Sequence, residues 1–144
     1  MKTKSIILST LLLLSYLSSK AQTQYVQSRD EARELSLKTM TFITQDSVAK
    51  AIETILPYSN FALSEYSILA QKLPNFIDGI QQTEGKIEGF TKLKEELTGE
   101  YLMREVYLLL LPESCYRFVF NYYKGAKGWL LTLIRFDSVI ESEF

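Results

Sequence analysis

The chain contains no histidine. That absence removes the commonest general base near neutral pH, the Ser-His and Cys-His nucleophile systems, and histidine-ligated zinc or haem. Cys115 is the only cysteine, so no disulfide can form within the chain and the fold must hold through its core. With no imidazole to activate it, Cys115 reads as a small hydrophobe near a strand start rather than a nucleophile. The six glycines do not form a phosphate loop: "EGKIEG" lacks the spacing. Walker, CxxC and EF-hand patterns are missing too, and nothing calls for a cofactor or a metal.

What is present begins with "MKTKSIILSTLLLLSYLSSKAQTQ". Lys2 and Lys4 precede an apolar run from Ile6 to Leu17, and Ser19 and Ala21 stand at the –3 and –1 positions of a cleavage site. This layout predicts a secretory signal peptide over residues 1–21 and export to the periplasm or beyond. The run is broken by Ser9, Thr10 and Ser15 and falls short of the ~20 residues that span a bilayer. No stable membrane insertion is expected after cleavage, and no cysteine is placed to carry a lipid. Three of the sixteen basic residues leave with the leader, so thirteen face seventeen acids in what remains. A net charge of –4 argues against nucleic acid as a partner. Residues 22–144 suffice for one domain, and about 123 residues bury ~65% of their unfolded surface.

"SRDE" at 28–31 has capping-box spacing, and helical period follows to Thr44, with Leu35, Thr39, Phe42 and Ile43 on one face. "QDSVAKAIETILP" predicts a second helix that stops before Pro57. A third is predicted from about 65 to 73, with Pro74 ending or kinking it and a turn or kinked continuation reaching Ile80. Near residue 86 the period changes. "KIEGFTKLKEEL" reads as an edge strand protected by its charges, with helix an alternative over 91–97. "EYLMREVYLLLL", "SCYRFVFNYYK" and "WLLTLIRFDSV" are β-branched, aromatic and leucine-rich runs between turn residues, which predicts antiparallel strands. The order is α+β: two or three N-terminal helices packed on a curved antiparallel meander of three to four strands.

Two-residue turns at Pro112-Glu113 and Ala126-Lys127 fix a register, and alternation then sorts the side chains into two faces. One face holds Tyr101, Met103, Glu105, Tyr107, Leu109, Tyr116, Phe118, Phe120, Tyr122, Trp129, Leu131, Leu133, Arg135 and Asp137. The other holds Leu102, Arg104, Val106, Leu108, Leu110, Cys115, Arg117, Val119, Asn121, Tyr123, Leu130, Thr132, Ile134 and Phe136. Neither is a solvent face. Helices can cover one, so the other must line a cavity or meet a partner.

The ending "FVFNYYKGAKGWLLTLIRFDSVI" resembles the last hairpin of small exported NTF2-like (SnoaL/ketosteroid-isomerase-like cone) proteins: an aromatic strand, a lysine-glycine turn, then "GW" and an alternating apolar strand. In element order the resemblance spans about residues 29–140. It implies a cone-shaped cavity between sheet and helices and a homodimer through the outer sheet face. None of the family's catalytic residues maps onto this chain, and the histidine of its His/Asp types is absent.

Two clusters are candidates. Arg117 and Arg104, with Asn121 and Tyr123, could bind a carboxylate or phosphate of a small-molecule ligand inside the cone. The plainer expectation is a salt bridge from an arginine to a helix glutamate such as Glu34 or Glu53. Glu105, Arg135 and Asp137, with Tyr107, Tyr116, Phe118 and Trp129, form an alternative pocket or interface. A carboxylate there could act as a base, or Arg135 could simply make a cross-strand ion pair. The tyrosines at 101, 107, 116, 122 and 123 could stack a ligand, or pack a core and an interface.

Overall fold

In the computed structural model, residues 22–138 are described. The expected leader, residues 1–21, lies outside them. Three helices come first: α1 (Arg29–Thr44), α2 (Val48–Ile55, continued by a 3₁₀ turn, Leu56–Tyr58) and α3 (Leu63–Glu84). Four strands follow: β1 (Gly89–Thr98), β2 (Leu102–Leu110), β3 (Cys115–Gly125) and β4 (Gly128–Asp137). They form one antiparallel sheet in the order β1-β2-β3-β4. This is the α+β order that the NTF2-like resemblance implies. Among the described residues no helix is long and apolar enough to cross a membrane.

Local chemistry explains the boundaries. Ser28 caps α1, its Oγ accepting from the Glu31 N–H at 3.1 Å. The acid of the box reaches past it, with Glu31 Oε2 accepting from the Gln27 N–H. The sequence predicts the third helix from about residue 65. α3 starts two residues earlier, where Glu65 Oε2 accepts from the Ala62 N–H at 2.7 Å.

Of the two outcomes expected at Pro74, an end is excluded and the helix continues, since α3 runs through it as one helix of 22 residues. Its buried stripe is Leu69, Leu73, Ile77 and Ile80. Four such side chains contribute roughly 1.5–3 kcal/mol each, more than the ~3 kcal/mol that an interior proline costs. Residues 91–97 are strand, which settles the alternative left open there.

The helices cover the aromatic face of the sheet. Phe118, Phe120, Tyr107, Leu109 and Leu131 meet Met40, Ile43, Ile55, Leu73 and Ile77 in one buried core. Phe76 of α3 packs edge-on against Tyr116 and Phe118, and a stacked pair, Phe118 and Phe136, closes that end.

The register agrees with the turn argument in most places. Leu109 faces Tyr116, Tyr107 faces Phe118, Lys124 faces Trp129 and Tyr122 faces Leu131. It fails beyond Thr132. A bulge there pairs Asn121 with Leu133 and Phe118 with Phe136. One extra residue reverses the alternation. Ile134 and Phe136 therefore join the aromatic, helix-covered face, and Leu133, Arg135 and Asp137 move to the other. A second bulge, between Lys92 and Lys94 of β1, brings Lys92 and Glu95 to the inner face together.

Candidate functional site

The inner face holds a part-buried charge network that β1's bulge makes possible. Glu105, on central strand β2, is fully buried. Lys92 reaches it from β1, its Nζ donating to Glu105 Oε1 and to Glu95 Oε2, both at 2.6 Å. Arg33, projecting from α1, closes on Glu95 with a two-pronged contact, Nε to Oε2 at 2.9 Å and NH2 to Oε1 at 2.6 Å. Arg33 also pairs with Asp30. Tyr107 donates to Glu105 Oε1 at 3.2 Å. Nearby, the Tyr122 hydroxyl and Ser36 Oγ are 2.6 Å apart and buried.

Burial works against the Lys92 ammonium, but its hydrogen bonds to Glu105 and Glu95 outweigh that and hold its pKa above the ordinary value. Burial and the Glu105 charge push the Tyr107 phenol up. Tyr122 is raised by burial too, against a lowering contribution from Ser36. Both phenols are thus neutral at neutral pH, and the Tyr107 O–H donates to Glu105. Glu105 Oε2 meets no hydrogen-bond donor among the described residues.

Glu95 sets an acid limit on stability. The Arg33 hydrogen bonds, aided by Lys92 and opposed by burial, lower its pKa from 4.5 to about 2. A depressed carboxylate stabilises the fold fully above its unfolded pKa and loses that contribution as pH falls towards the folded one. A shift of this size corresponds to at most ~3 kcal/mol; Arg33 is more than a third exposed, so screening leaves about 1–2 kcal/mol. Urea unfolding at stepped pH should show that loss between about pH 4.5 and pH 2, and Arg33→Gln should flatten it. An Arg33→Gln acid limb as steep as the parent's would remove Glu95 as its source.

The arginine candidates do not form one site. Arg117 is 3% exposed and grips Asp137 with Nε to Oδ1 at 3.0 Å and NH2 to Oδ2 at 2.8 Å. Its partner is a carboxylate on the adjacent strand, where a helix glutamate, Glu34 or Glu53, was the plainer expectation. Arg135 makes a 3.3 Å contact with the same Asp137. Arg117 and Arg135 thus share a carboxylate on the outer face, correcting the expectation of opposite faces and of a cluster with Glu105. The physical reason is the bulge at Thr132.

Arg104 faces Asn121 directly and pairs with Glu96 at 2.8 Å. With Glu96, Leu102 and Thr132 these two line a cleft of about 250 Å³ that includes neither Arg117 nor Tyr123. Asn121 Oδ1 is buried there without a donor among the described residues. Trp129 is buried under the Arg29 guanidinium, 5.7 Å from its ring centre. Tyr116 turns out to bind Glu84, at the end of α3, together with Ser114. Those two hydroxyls hold the Glu84 carboxyl below its ordinary pKa, Ser114 foremost.

Sequence reasoning missed Arg33, Lys92, Glu95 and Glu84. The first three meet through a β1 bulge and an α1–sheet contact that no local pattern announces. Among the described residues no three His, Cys, Asp or Glu side chains converge as metal ligands would.

No protein-family model matches the chain, and no curated protein matches it. Among solved structures it is similar to a Campylobacter jejuni protein described as a putative NTF2-like transpeptidase, with 11% identity and a TM-score of 0.49, over 74% of this chain and 99% of that one.

Proposed function

We propose that the chain is an exported, non-catalytic binding protein that associates with a second copy of itself through the outer face of its sheet. The leader-like residues 1–21 support export. The observation that carries the association is a row of apolar side chains crossing three strands, Leu102, Tyr123 and Leu130. Leu102 is 47% and Tyr123 48% exposed, half-open apolar groups of the kind that interfaces bury. Charges on this face are already paired, Arg104 with Glu96 and Arg117 with Asp137, so covering them strands no lone ion.

The interior offers less support for a ligand. Where a cone pocket would lie, Tyr107, Phe118 and Phe120 are packed against Met40, Ile43 and Ile77. A carboxylate- and tyrosine-based enzyme is favoured by one observation, the unmet Glu105 Oε2. Against it, Lys92 and Tyr107 already occupy the other oxygen.

Light scattering after size exclusion, on residues 22–144, tests the reading. A dimer is expected at high micromolar concentration, and Leu102→Glu with Tyr123→Glu should convert it to monomer. A parent chain that stays monomeric sinks the proposal.

A further inference from the structure

The groove between α3 and β4 has an unusual lining. Phe61, Glu65, Ile68, Leu69 and Lys72 form one wall, and five consecutive residues of β4, Thr132 to Phe136, form the other, around about 370 Å³. Successive side chains of a strand point to opposite faces. A groove can touch five in a row only if it runs along the strand's edge, where the backbone itself is presented.

β4 is a terminal strand of the sheet. The chain covers the first part of its edge. Val26 exchanges both backbone hydrogen bonds with Trp129, and the Asn60 N–H donates to the Leu131 carbonyl. Ser59 forms a parallel bridge to Leu131 before the chain turns away into α3. From Thr132 onward the edge has no strand partner among the described residues.

The direction of the vacant groups follows from β3. Phe120 and Phe118 continue the alternation of Lys124, whose N–H donates towards β2 at Tyr101. Their β4 partners, Ile134 and Phe136, therefore turn N–H and C=O outward to the groove. Meanwhile their side chains pack inward on the core. The wall opposite is apolar, with Ile68 half exposed beside Leu69 and Phe61.

We propose that this edge binds an extended peptide segment of a partner protein, which adds a fifth strand beside Thr132–Phe136. The segment places apolar side chains, at every second position, against Ile68, Leu69 and Phe61. Main-chain hydrogen bonds to Ile134 and Phe136 supply affinity, and the α3 wall supplies selectivity. The bound strand continues a pairing that Val26 and Ser59 have already begun.

Charge identifies the rest of the occupant. Ser59 adjoins Leu131 and Phe76 packs on Phe136 at 4.9 Å, so α3 and β4 run side by side. Lys72 and Arg135 then share the Phe136 end, and Glu65 the Thr132 end. Glu65 is engaged by the Ala62 N–H and Arg135 by Asp137. Lys72 has no ion-pair partner among the described residues. The peptide therefore carries a carboxylate, from Asp or Glu, opposite Lys72.

Selection of a displayed library of random peptides, each about eight residues long, against the whole chain tests this. The expected winners alternate apolar and polar residues and carry one acid at a constant offset. Synthetic copies should slow amide exchange at Ile134 and Phe136, and Lys72→Glu should weaken them at least tenfold and select basic residues at that offset instead. Ile68→Glu should abolish selection while leaving Trp129 fluorescence unchanged. Three outcomes would overturn the proposal: no enrichment over Ile68→Glu, winners that leave those two amides unprotected, or Ile68→Glu abolishing self-association with no peptide selected. The last would assign the groove to a second copy.

Discussion

Lys92→Met should destabilise the protein by about 2–3 kcal/mol: it leaves the fully buried Glu105 carboxylate without its counter-charge, and the 34% exposure of Lys92 cuts this below the ~3–5 kcal/mol of a fully buried pair. Against total stabilities of ~5–15 kcal/mol, that is a large share. Methionine keeps the length and apolar body of the lysine stem, so little packing is lost. What goes is the ammonium, 2.6 Å from both Glu105 Oε1 and Glu95 Oε2. Glu95 keeps Arg33. Glu105 retains only the Tyr107 hydroxyl on one oxygen, with the other already unmet. Urea unfolding followed by the fluorescence of Trp129, the single tryptophan, reads the loss directly. Adding Glu105→Leu to Lys92→Met should recover most of it, because a neutral side chain needs no counter-charge. A single variant within about 1 kcal/mol of the parent would show that water or rearrangement satisfies Glu105 and that the network carries little of the stability.

Gly128→Ala should cost about 2–4 kcal/mol, combining a strained backbone with a steric conflict. Gly128 has φ +132°, a conformation that side chains rarely adopt. A Cβ built there would stand 2.6 Å from the Val26 carbonyl oxygen and 3.1 Å from Tyr25 Cβ. The glycine thus serves two ends, turning the β3–β4 hairpin and letting the N-terminal segment cross it. Relief of the clash would pull Val26 away from Trp129, whose N–H donates to the Val26 carbonyl at 2.8 Å. The variant should therefore show faster amide exchange at Val26 and Trp129 as well as a lower unfolding midpoint. Parent-like stability with both amides protected would contradict this account of the hairpin.

Gly128 also illustrates how much could be read in advance. The Gly-Ala-Lys-Gly turn was legible because glycines bracket it, and so were Pro112-Glu113 and the register from Leu109–Tyr116 to Tyr122–Leu131. The helices were legible from their period and from the Ser28 cap. Pro74 left an end or a continued helix open, and the burial of Leu69, Leu73, Ile77 and Ile80 outweighed the missing N–H and decided for continuation. The candidate arginines misled. Arg117 and Arg135 were placed on opposite faces by strict alternation, and the bulge at Thr132 put both beside Asp137.

By itself, then, the sequence determined the α+β order, an antiparallel meander of three to four strands, the doubly apolar sheet and the exclusion of histidine chemistry. These depend on period, turn residues and composition, all properties of neighbours along the chain. Only the tertiary structure decided which face the helices cover, which charges meet, and where an edge is left open. A bulge is one residue in one strand whose partner skips a place. It reverses everything beyond it, and it exists only in the pairing of strands, so no reading of a single strand could have located Lys92 beside Glu105 or Asp137 beside Arg117.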